Sequence, residues 1–146
     1  MDMGVISEAI RLATAPVFLP TGVGGILNVL GNRLARVIDR ARWVKSMIAA
    51  NSDPAGLGHY YEELRALRRR KFIINFATAM LVLSAVLIAM TIIELFFSAS
   101  VEPGKLQISN LVPITFIGSF ISLVGACVLY LAEILYASNT ISFDPA

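Results

Sequence analysis

The residues best placed to do chemistry lie in two short polar runs and one long basic one. The first run is Asp39-Arg40-Ala41-Arg42. Metal-dependent transfer to phospholipid head groups needs several aspartates to hold divalent cations, and here Asp39 stands alone. Arg36 and Arg42 lie three residues away on either side and Arg40 is adjacent. On a helix that spacing makes Asp39 an internal counter-charge that limits repulsion among the arginines. The second run, His59-Tyr60-Tyr61-Glu62-Glu63, puts one histidine beside two acids without the spacing of a metal site. It reads as the solvated start of a helix, whose positive end favours acids. Any catalytic triad would have to use His59, and no serine or cysteine has the context of a nucleophile. No glycine-rich loop leads into a lysine. The lone cysteine, Cys127, lies in an apolar segment that keeps a thiol inert. The expectation is a non-enzymatic chain with no metal and no cofactor.

The basic run offers binding rather than reaction. Arg33, Arg36, Arg40 and Arg42 precede Arg68, Arg69, Arg70 and Lys71, and all eight suit anionic lipid head groups. Each such cation near an anionic membrane surface contributes about 1 kcal/mol. An acidic partner protein and the anion vestibule of a channel are the other readings. Nucleic acid is not expected, because the net charge is only +2 and no recognition fold accompanies the patch.

These residues must be positioned by apolar elements. The chain is 57% hydrophobic and 15% charged, a balance that points away from a soluble protein. Three long uncharged runs each reach the roughly 20 residues needed to cross a bilayer core of about 30 Å. The fold class expected is all-α, with spans at about 12–32, 72–97 and 111–137 in one membrane domain over 1–146. Ten of the twelve Lys and Arg residues fall between the first two spans. The positive-inside rule then makes residues 33–71 cytoplasmic, with the N-terminus outside and the C-terminus inside. Asp2 and Glu8 precede the first basic residue, Arg11, and no cleavage site follows, so the first span is expected to stay attached.

Between Asn28 and Lys45 the first span passes without a break into a basic amphipathic helix. Leu30, Leu34, Val37, Ile38, Ala41, Val44 and Ile48 form its apolar face, and Arg33, Arg36 and Arg40 share another. Asn51 to Gly58 supplies a turn, and a second helix from about His59 runs into the second span. The cytoplasmic part is thus a helical hairpin made by extensions of the first and second membrane helices. Ser98 to Asn110, with Pro103-Gly104, is the external loop, and Ser138 to Ala146 an irregular tail. Pro16 and Pro20, followed by Gly22, Gly24 and Gly25, predict a kink or local unwinding between Pro16 and Gly25.

Two stripes of small residues complete the pattern. Thr14, Thr21 and Asn28 recur every seven residues beside Gly24, Gly25 and Gly31, and Gly118, Ser122 and Ala126 recur every four. Such stripes are either helix-packing seams or, for the first, the lining of a narrow pore. Glu133, near the inner end of the third span, is within reach of Arg69, Arg70 or Lys71 as a counter-charge. The reading is a membrane protein that assembles through these faces, as a homo-oligomer or an accessory subunit of a membrane complex. The alternative is an oligomeric ion or small-solute channel lined by the first span.

Three segments carry a resemblance: Ala13 to Arg42 (ATAPVFLPTGVGGILNVLGNRLARVIDRAR), Glu62 to Asn75 (EELRALRRRKFIIN) and Val128 to Ser138 (VLYLAEILYAS). Together they resemble the bacterial DUF2721 family of small membrane proteins. The resemblance implies a bacterial membrane protein and no particular activity; the inner membrane is the expected location.

Overall fold

A computed structural model describes residues 3–50, 57–100 and 111–139. The turn at 51–56, most of the external loop and the end of the tail lie outside the described residues. Among those described, the chain forms three helices: α1 (Met3–Ala50), α2 (Leu57–Ser100) and α3 (Leu111–Asn139). At 1.5 Å per residue, α1 and α2 run about 72 and 66 Å, twice a bilayer core, and α3 about 43 Å.

The hydrophobic spacing explains why these helices pair. Val23, Leu30, Val37 and Val44 recur every seven residues on α1, as do Leu67, Ile74 and Leu81 on α2, and all seven join one buried cluster. Leu27, Leu34, Ala41 and Ile48 fill the alternate positions on α1. This three-four alternation gives the seam of an antiparallel coiled-coil pair, α1 with α2. Of the apolar face read from the sequence, Leu30, Leu34, Val37, Ala41, Val44 and Ile48 lie in that seam; Ile38 lies beside it, lining a cleft.

The other side of α2 is built differently. Ser84 and Thr91, again seven apart, are buried together with Ser119 and Ser122 of α3, while Ala77 and Ala126 join the cluster of the α1 seam. Ser122 Oγ donates to the Met80 carbonyl at 2.7 Å. That carbonyl is the acceptor a helical serine at position 84 would ordinarily use, and Ser84 Oγ is buried without a partner. Near the far end, Thr115 Oγ1 donates to Glu94 Oε2 at 2.7 Å and lies 3.1 Å from Thr91 Oγ1. Thus α2 is the middle helix, packed against α1 mainly through branched aliphatics and against α3 largely through small and hydroxylated residues; among the described residues α1 and α3 share no extended interface.

Among the described residues, two stretches are long and apolar enough to cross a membrane, Leu57–Ser98 and Leu111–Ala137. By this measure two of the three expected spans are supported; residues 12–32 lie within α1. The outer surface of α3 is an apolar ridge, with Ile114, Ile117, Ile121, Val124, Val128, Leu131 and Leu135 all exposed. The expected break in α1 is not found: the helix is continuous through Pro16, Pro20 and the glycines. Pro16 and Pro20 remove only the bonds to the carbonyls of Leu12 and Pro16, one turn apart on one edge, and the rest of the ladder holds. Pro113 falls in the first turn of α3, where a missing donor costs nothing.

Candidate functional site

The charged residues gather where α1, α2 and α3 are all present, at the basic end of the bundle. Glu133 of α3 is fully buried. Arg33 of α1 donates through Nη1 to its Oε2 at 2.5 Å. Arg70 of α2 donates to its Oε1 through Nε at 3.1 Å and Nη2 at 2.9 Å. A buried carboxylate costs several kcal/mol unless it is paired and hydrogen-bonded. Here both oxygens are occupied, by one arginine from each of the other helices. Arg33 also lies over the Tyr130 ring, 5.3 Å from its centroid, and Arg69 over Tyr136 at 5.4 Å.

One step further along the hairpin, Arg40 Nε donates to Glu63 Oε1 at 2.6 Å. Its guanidinium stacks 4.2 Å from the centroid of Trp43. The hydrogen bond to Glu63 raises the Arg40 pKa above its ordinary value; burial opposes this, and the charge of Glu63 adds to it. Asp39 pairs with Arg42 at 3.6 Å, both largely exposed, which is the counter-charge arrangement of the sequence reading.

Two clefts flank the hairpin, each of about 260 Å³. One is lined by Arg33, Arg36, Val37, Arg40, Leu67, Arg70 and Ala137. Three of its four arginines are already engaged by Glu133 or Glu63. The other is lined by Val37, Ile38, Ala41, Leu64 and Leu67 as an apolar floor and by Arg42, Lys45, Arg68 and Lys71 as a basic rim. No carboxylate lines it, and among the described residues the one ion pair on its rim is that of Arg42 with Asp39.

The two small-residue stripes differ. Thr14, Thr21, Gly24, Gly25, Asn28 and Gly31 are all exposed. A Cβ built on Gly24, Gly25 or Gly31 meets nothing within 4 Å. Thr14 Oγ1 donates to the carbonyl of Ile10 in its own helix at 2.8 Å. On α3 the stripe is taken up inside the chain: Ser122 and Ala126 are buried, and a Cβ on Gly118 would lie 3.7 Å from Leu87 Cδ1. The closest approach belongs to Gly125, where a Cβ would stand 2.8 Å from Met80 Cε. Sequence reasoning singled out neither Gly125 nor the pairing of Arg33 with Glu133 and of Arg40 with Glu63. The seven-residue spacing was the signal that could have found them. Once α1, α2 and α3 are aligned on their seams, residues 33, 70 and 133 come level. Among the described residues, no group of three or more His, Cys, Asp and Glu side chains is placed to hold a metal.

No curated protein and no solved structure shows significant similarity to the chain. The DUF2721 family, described as a protein of unknown function, matches residues 13–143. Those residues include both arms of the hairpin, the seam of α2 with α3 and all three residues of the Glu133 clamp. The chain belongs to the DUF2721 family.

Proposed function

We propose that this chain is a non-catalytic, three-span protein of the bacterial inner membrane that self-associates through the exposed polar stripe of α1. Its N-terminus faces outward, and its basic hairpin stands on the cytoplasmic side against anionic lipid. The observation that carries this reading is the exposure of Thr21, Gly24, Gly25, Asn28 and Gly31 on the face of α1 turned away from α2. In hydrocarbon an amide side chain left open would lack partners, whereas a glycine-lined face lets a second helix come close. The levels of the charged groups also support three spans. Arg33 follows the first expected span directly, Arg70 lies just before the second, and Glu133 near the end of the third. Their meeting in one clamp supports a reading in which the three expected membrane boundaries lie at one height.

Asn28→Leu tests the reading. It removes one hydrogen-bonding group and puts bulk on the stripe without disturbing the seam with α2. Assembly measured by native mass spectrometry in mild detergent is expected to weaken by about 0.6–2 kcal/mol per contact. Insertion should be unchanged. A variant that assembles as tightly as the parent, or a parent that is only monomeric, would count against the proposal.

A further inference from the structure

The geometry points to the cleft between α1 and α2 rimmed by Arg42, Lys45, Arg68 and Lys71 as a discrete binding site for one phosphate-bearing lipid head group. This rests on the placement of the hairpin at the membrane face. Charge complementarity is the first argument. Four cations from two helices converge on a space of about 260 Å³ with no carboxylate in its lining, whereas on the opposite edge Glu133 and Glu63 engage three of the four arginines. Among the described residues, Arg42 has only the exposed Asp39 beside it at 3.6 Å; cations gathered with so little counter-charge repel one another, and an anion seated among them relieves that repulsion. The floor is the second argument. Ala41 and Leu64 belong to an apolar base, which offers nothing to a free inorganic anion but covers the glyceride part of a lipid. Position is the third: Lys71 directly follows Arg70 of the Glu133 clamp, so the cleft opens at the expected level of lipid phosphates.

The test uses the full chain in detergent with three probes: phosphatidylglycerol, phosphatidylcholine and inorganic phosphate. Native mass spectrometry should show one phosphatidylglycerol retained in preference to phosphatidylcholine. Arg68→Gln with Lys71→Gln should weaken that binding by about tenfold or more, the scale of losing charge-assisted hydrogen bonds. The same charge change outside the cleft, Arg36→Gln with Arg65→Gln, should alter it by no more than about twofold, through screened attraction alone. Ala41→Leu, which fills the floor and keeps every charge, should also displace the lipid. Equal losses from the two charge-matched pairs would overturn the discrete site and leave only diffuse attraction. Displacement by inorganic phosphate at equal concentration would overturn the lipid assignment. Failure of the underlying topology would show separately: in a Cys127→Ala background, His59→Cys would label from outside the cell.

Discussion

The two edges of the α1–α2 hairpin have nearly the same composition and opposite fates. One carries Arg33, Arg36, Arg40 and Arg70, the other Arg42, Lys45, Arg68 and Lys71. On the first edge, α3 brings Glu133 and α2 brings Glu63, and three arginines become part of the scaffold. On the second edge no acid arrives in the lining; Arg42 pairs with the exposed Asp39 beside it, and Lys45, Arg68 and Lys71 stay available around an apolar floor. The difference lies in what the neighbouring helix delivers. A basic residue's role here is set by where the few carboxylates land, and the local charge count does not reveal it.

The largest effect that would test this contrast comes from the acid at the centre of the first edge. Glu133→Ala leaves Arg33 and Arg70 facing each other without their shared partner. Removing one member of a buried ionic group typically costs about 3–5 kcal/mol. Thermal unfolding in detergent should show a large destabilisation, and a variant as stable as the parent would mean that the clamp does not hold α3 in place. A smaller effect comes from substituting chemically equal residues on the two edges. Arg70→Gln removes two hydrogen bonds to Glu133 and should destabilise by about 1.5–3 kcal/mol. Arg68→Gln, two residues earlier in the same helix, should stay within about 0.5 kcal/mol, as exposed substitutions usually do. Equal losses at both positions would erase the distinction between the edges.

Much of the scaffold was legible in the sequence because it rests on local regularity. All of the apolar face read from Leu30 to Ile48 except Ile38 lies in the seam observed, and the helix starts near His59 and Leu111 follow from composition shifts at those points. The continuity of α1 was not legible. Pro16 and Pro20 signal a break locally, but the cost of two lost backbone bonds is set against the whole surrounding ladder. The clamp was half legible: Arg70 was one of three basic residues within reach of Glu133. Arg33, one hundred positions from Glu133, enters only through the registers of two separate seams. The small-residue stripes show the same limit. Gly118, Ser122 and Ala126 look like the α1 stripe in sequence, yet they lie against α2, while Asn28 and its glycines remain on the surface.

That surface is where the functional claim is most directly tested. In a Cys127→Ala background, Asn28→Cys and, as a control on the apolar ridge of α3, Val128→Cys would each be oxidised in native membranes and resolved without reductant. The account predicts a disulfide-linked dimer for Asn28→Cys and a monomer for Val128→Cys, because only the α1 stripe meets a second copy. Monomer in both cases, or equal dimer in both, would contradict assembly through α1.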